Sequence, residues 1–198
     1  PYPDLTSSVF GVHRPSPQAT TPTKHTQWHT TDQSNFQVFA IRDRIESTNV
    51  RFVLTSSGDH LRSLTINHSH GLTSSLFYNV YDNQKWNFAV RIKSDTFPWK
   101  NLVSGSADTA GYQLEFYGVS YAGNIKKDSF YLTGTLDEAA GRNVIRRAKR
   151  LYIGAHRTNF TGAILQHADM RVSSPRIWLS YLSNEEIDSH AKDASNFG

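Results

Sequence analysis

A chain of 198 residues with 21 Lys and Arg against 17 Asp and Glu carries a net charge of +4, with a pI of about 9.3. That balance is too mild to specify nucleic acid as a partner, and no apolar run approaches the roughly 20 residues that insertion in a membrane as a helix requires. The absence of cysteine excludes disulfides, thiolate metal sites and thiol catalysis. Hydrophobic residues at 37%, aromatics at 12% and 39 Ser and Thr suit one domain over 1–198, built of sheets with one face in water. The opening PYPDLTSS lacks a Met, as a piece of a larger protein would.

In chain order, SSVFGVH (7–13) reads as a short strand. RPSPQATTPTKHTQWHTTDQS (14–34) has three Pro, six Thr and almost no aliphatic residue, the composition of a loop or extended polar arm. NFQVFAIRDR (35–44) and NVRFVLTSS (49–57) alternate as two strands joined by a turn at IEST. LRSLTINHS (61–69) and SLFYNVYD (75–82) read as further strands. KWNFAVRIKS (85–94) is the most regular, with Trp86, Phe88, Val90 and Ile92 on one face. WKNLVSGSADTAG (99–111) is a loop, and GYQLEFYGVSYAGN (111–124) and DSFYLTGTL (128–136) alternate again. DEAAGRNVIRRAK (137–149) has the character of a helical turn broken at Gly141. RLYIGAHR (150–157), NFTGAILQ (159–166) and DMRVSSPRIWLSYL (169–182) complete about ten to twelve strands at intervals of roughly 8–15 residues, which favours a sandwich or barrel.

Ile177 and Leu179 alternate with Trp178 and Ser180, as in a strand buried on both sides. Ser183 followed three residues later by Glu186 is a capping box, so one short helix is expected over about 183–192. Leu182 and Ile187 are placed to staple it, and Glu185, Glu186 and Asp188 suit the positive end of its dipole.

RIWLSYLSNEEI (176–187) resembles the end of laminin G-like domains in the concanavalin A-like superfamily, where a strand of the type V-R-I-Y-x-R-A-L runs into S-x-E-E-I. KWNFAVRIK (85–93) is similar to that family's W-x-H-V-A-V strand, and GYQLEFYGV (111–119) to its L-Y-x-N-G strand. RLYIGAHR is similar to L-x-I-G, and NFTGAI (159–164) to F-x-G-x-I. The matches cover roughly residues 75–190 in the family's order; QHADMRVSSP (166–175) lengthens a step that is usually short. The resemblance implies an antiparallel jelly-roll-type β-sandwich. By analogy of fold it also implies a non-catalytic recognition or attachment module on an extracellular, cell or virion surface, binding a glycan or a glycoprotein receptor. Two alternatives stand beside it: a purely structural virion or adhesin module packing on neighbouring subunits, and a diverged glycoside hydrolase.

A retaining glycosidase needs two carboxyl groups about 5.5 Å apart, as acidic residues alternating along a strand provide. Only five Glu are present, at 46, 115, 138, 185 and 186; Glu115 alone falls within a clear strand, without an acidic residue at i+2. Catalysis is therefore not expected, and no cofactor is required. The resemblance raises calcium, with Asp59, Asp82, Asn83 and Asp108 as oxygen donors; turn capping by loop acids is the competing account. His68 and His70 share a strand face at a spacing open to zinc or copper, with His60 as a third ligand. Arg146, Arg147, Lys149 and Arg150 of RRAKR form the densest basic cluster, suited to a sulfated or acidic polysaccharide or to an ordinary solvated loop. Trp28 in the arm and Trp99 after Pro98 are candidate sugar-stacking platforms, whereas Trp86 and Trp178 read as core.

Overall fold

The computed structural model describes residues 5–13, 34–55, 71–95, 111–136, 149–157 and 170–193, together with Glu138, Gly141, Val144, Ile145, Ile164, Leu165, His167, Ala168 and Ser195. These residues form an all-β sandwich of antiparallel sheets with one short C-terminal helix. The strands are β1 (Thr6–His13), β2 (Ser34–Arg42), β3 (Val50–Thr55), β4 (Leu72–Thr73), β5 (Trp86–Ser94), β6 (Tyr112–Ala122), β7 (Ile125–Leu136), β8 (Arg150–Ile153), β9 (His156–Arg157) and β10 (Ile164–Leu165), and the helix is α1 (Asn184–Lys192). One sheet runs β4-β3-β2-β1-β8, the other β5-β6-β7, and β9 and β10 form a separate pair.

The two-residue period of a strand places every second side chain in the space between the sheets. From the five-stranded sheet come Val38, Ala40, Phe52, Leu54 and Leu72; from the three-stranded sheet come Leu114, Phe116, Phe130 and Leu136. Phe52 lies at the centre, its ring centroid 4.8 Å from Trp86, 4.7 Å from Phe88 and 5.7 Å from Phe130. Phe130 meets Phe116 edge to face at 4.9 Å, the geometry that the ring quadrupole favours. Gly118 makes room for this arrangement. It pairs with Phe130 across the β6–β7 ladder, and a Cβ added to it would stand 2.3 Å from the Phe130 ring.

Three expectations from sequence are corrected. SLFYNVYD is not a strand: Phe77 makes a single bridge to Val50, and the chain then turns. Asn79 and Asn83 take φ of 58° and 59°, left-handed conformations that asparagine tolerates and that end an extended run. Gly141 does not break the helical turn; it is helical, as are Glu138, Val144 and Ile145. A Cβ there would stand 2.1 Å from Tyr112 Cδ2, so glycine permits a close approach to β6.

The third correction is the largest. Residues 170–182 form no strand, and Trp178 is not a core residue. Ser174 takes a left-handed φ of 52° and Pro175 has no N–H to give a ladder, so the run is interrupted where a strand would begin. Ile177 and Leu179 are 79% and 105% exposed. The alternation itself survives: Arg176 Nη1 lies 3.0 Å from His190 Nδ1, and Trp178 stacks on the same imidazole at 5.3 Å. One side of the segment thus rests on α1 while the apolar pair points away.

Helix α1 forms as its sequence dictates. Ser183 Oγ accepts from the Glu186 N–H at 3.2 Å, and Glu186 Oε2 accepts from the Ser183 N–H at 2.6 Å. Ile187 and Ala191 pack beside Leu182 against Tyr117, Val119 and Tyr121, on the outer face of the three-stranded sheet. Because the helix is seated on β6, loss of the cap propagates to the fold. Ser183→Ala is expected to cost about 0.5–2 kcal/mol, read as a lower midpoint in global unfolding by urea; an unchanged midpoint would detach α1 from the cooperative unit.

Candidate functional site

The outer faces of the two sheets have different fates. On the three-stranded sheet the face is polar and tied down. The cross-strand register sets Arg91 beside Glu115 and Ala89 beside Tyr117, with Tyr131 next in the row. Glu115 is fully buried. Its carboxylate meets Arg91 Nη2 at 2.9 Å and Lys93 Nζ at 2.7 Å, and it accepts from the Tyr181 hydroxyl at 2.9 Å. Burial pushes the Glu115 pKa up, but the bonds from Lys93, Tyr131 and Tyr181 and the Arg91 charge outweigh it and hold the pKa below the ordinary value. Tyr131 moves the other way, to about 12, through burial and its bond to the carboxylate.

Arg91 extends this network to the C-terminal segment, donating to the Leu182 carbonyl at 2.8 Å and to Asn184 Oδ1 at 2.7 Å. Lys126 adds a second tie, donating to the Tyr117 hydroxyl at 2.9 Å and to Asp188 Oδ2 at 3.1 Å. These groups are engaged with one another. Glu115 is a paired anion holding a strap, an arrangement unlike the proton-bearing carboxyl that a general acid must be.

On the outer face of the five-stranded sheet, Phe39 and Ile41 are half-buried and Val53 is buried. Here β1, β2, β3 and β4 bring Thr6, Phe39, Ile41, Arg51, Val53, Thr55 and Thr73 around a shallow hollow of about 510 Å³. The ladder explains the set: Thr6 pairs with Ile41 and Ile41 with Arg51, while Phe39 pairs with Val53 and Val53 with Thr73. An apolar floor of Phe39, Ile41 and Val53 is therefore rimmed by three hydroxyls and a guanidinium. Arg51 Nη1 makes one long bond, 3.4 Å, to the Ser74 carbonyl, and the side chain is exposed. Beyond the floor, Gly11 lies between Gln37 of β2 and Tyr152 of β8 in a single cross-strand row. A Cβ at Gly11 would overlap the Gln37 amide, whose Nε2 donates to Ser8 Oγ. Apolar floor, hydroxyl rim and cation together suit a polyhydroxylated ring, which presents a CH face and equatorial donors and acceptors.

Of the residues singled out from sequence, Trp28, Trp99, Arg146, Arg147, Asp59, His60, His68, His70 and Asp108 lie outside the described residues. Lys149 donates to the Ile145 carbonyl at 3.0 Å, the bond of a lysine closing a helix end. Arg150 opens β8, half-buried and two residues before Tyr152. Asp82 and Asn83 are exposed in the turn before β5, where the Asp82 N–H donates to the Asn79 carbonyl. Among the described residues no three His, Asp or Glu stand close enough to hold a metal ion.

The hollow residues Phe39, Ile41, Arg51 and Val53 are not among those that sequence reasoning singles out. Their signal lies in FQVFAI (36–41), which is apolar on both strand faces although only one can enter the core. No family model, curated protein or solved structure matches this chain.

Proposed function

We propose that the protein is a non-catalytic recognition module of the laminin G-like type, acting at an extracellular, cell or virion surface and binding a glycan in the hollow on its five-stranded sheet. The observation that carries this reading is an apolar floor, half-buried Phe39 and Ile41 with buried Val53, set beside exposed Arg51 and three threonine hydroxyls. The ion-paired state of Glu115 supports the non-catalytic part of the reading.

The test is a glycan array probed with the native chain, followed by calorimetric titration of the best ligand. Phe39→Ala is expected to weaken binding about tenfold or more, the equivalent of about 1.4 kcal/mol, and Arg51→Ala to weaken it independently. Retention of full affinity in both variants would remove the hollow as the site, and an array without a single ligand would remove the function.

A further inference from the structure

Ile177 and Leu179 are the two most exposed large apolar side chains among the described residues. Isolated exposed aliphatic residues are ordinary on soluble proteins. Here, however, the two stand on one side of a single extended-pattern segment whose other side, Arg176 and Trp178, is held by His190 of α1. The segment is thus backed by its own helix and presents its apolar side outward, as the edge of an interface does. No described strand pairs with it.

We infer that this segment is the seat of a second copy of the same chain, docked antiparallel about a two-fold axis near Trp178. The charges flanking the apolar pair select that occupant. Arg171 is exposed on the N-terminal side, and Glu185, in the first turn of α1, is exposed on the C-terminal side. Basic flank, apolar centre and acidic flank follow one another along a single chain. Rotation by 180° lays the basic flank of each copy on the acidic flank of the other and sets Ile177 against Leu179 twice. A parallel arrangement would oppose like charges. Self-complementarity under a two-fold is the property that an isologous dimer interface requires. An interface centred on apolar side chains with charges at its rim has the anatomy of protein association sites in general. The inference is independent of the glycan hollow, which lies on the other sheet.

Analytical ultracentrifugation of the full 198-residue chain over about 1–100 μM, the range in which associations of modest strength appear, tests it. The native chain is expected to show a concentration-dependent monomer–dimer equilibrium. Leu179→Lys should raise the dimer dissociation constant at least about 30-fold, as loss of a central anchor does, with an unchanged far-ultraviolet circular dichroism spectrum. Arg171→Glu and Glu185→Lys should each weaken the dimer, and the double variant Arg171→Glu/Glu185→Lys should recover it, because every cross-pair is again of opposite sign. Glu185 also bonds Ser183 in the first turn of α1, so the far-ultraviolet circular dichroism spectrum of the Glu185→Lys variants is required to match that of the native chain. A native chain that stays monomeric throughout the range overturns the inference. A dimer indifferent to Leu179→Lys, or one that the double exchange fails to restore, overturns it equally.

Discussion

Glu115→Ala is expected to lower the unfolding free energy by about 3–5 kcal/mol, the range for removing one partner of a buried ion pair. The carboxylate and the Arg91 guanidinium both lie in the interior, so the substitution leaves a positive charge out of water without its counter-ion. Tyr181 loses its acceptor in the same step, and with it goes one tie between the C-terminal segment and β6. Lys93→Met should cost much less, because Lys93 is partly in water and exposed charges contribute little. Urea unfolding of the two variants at neutral pH checks the contrast; equal losses would mean that Arg91 gives the carboxylate no more support than Lys93 does.

The same cluster fixes the pH dependence. The Glu115 pKa is depressed in the folded state. Its stabilising contribution is therefore complete above the ordinary carboxylate pKa and is lost as pH falls through and below that value. Tyr131 is raised from 10.0 to about 12, so its contribution is complete below 10 and is lost as pH rises from there towards 12. Stability should be flat between these limits and fall at both ends. Glu115→Gln should flatten the acid limb.

Gly118→Ala should damage the core strongly, costing about 1–3 kcal/mol by overpacking. The added carbon would fall 2.3 Å from the Phe130 ring. That ring is already bounded by Phe116 at 4.9 Å, Phe52 at 5.7 Å and Phe77 at 5.8 Å, so it has nowhere to swing. The urea midpoint is expected to drop with little change in slope. Because the clash is with one side chain, Phe130→Leu in the Gly118→Ala background should cost less than in the native chain, a positive coupling read by a double-mutant cycle. Strict additivity would locate the strain elsewhere.

The sandwich, its long strands and the helix cap were legible because each is written locally. Trp86, Phe88, Val90 and Ile92 fall on one strand face whatever lies around them, and Ser183 with Glu186 caps a helix by spacing alone. RIWLSYL failed as a strand because alternation shows that a segment has two sides and not that a ladder partner exists; Ser174 and Pro175 decide the matter by backbone geometry. The hollow was harder still. Phe39, Ile41, Arg51 and Thr73 come from three strands, and only the register brings them together. For Glu115 the sequence shows only that no acidic residue stands at i+2; its actual partners sit across the ladder at Arg91 and 66 residues on at Tyr181.

The strap formed by residues 181–192 has a practical meaning for handling the molecule. It fastens the C-terminal segment to the outside of one sheet, through Arg91, Lys85 and Lys126, while the hollow opens on the outside of the other. Sheets in a sandwich stack about 10 Å apart, so a tether placed after Ser195 emerges a full domain thickness away from the hollow. A sensor chip or bead coupled through a C-terminal tag would hold every molecule with its strapped side down and its hollow towards the bulk solution. Coupling through random lysines would erase that orientation.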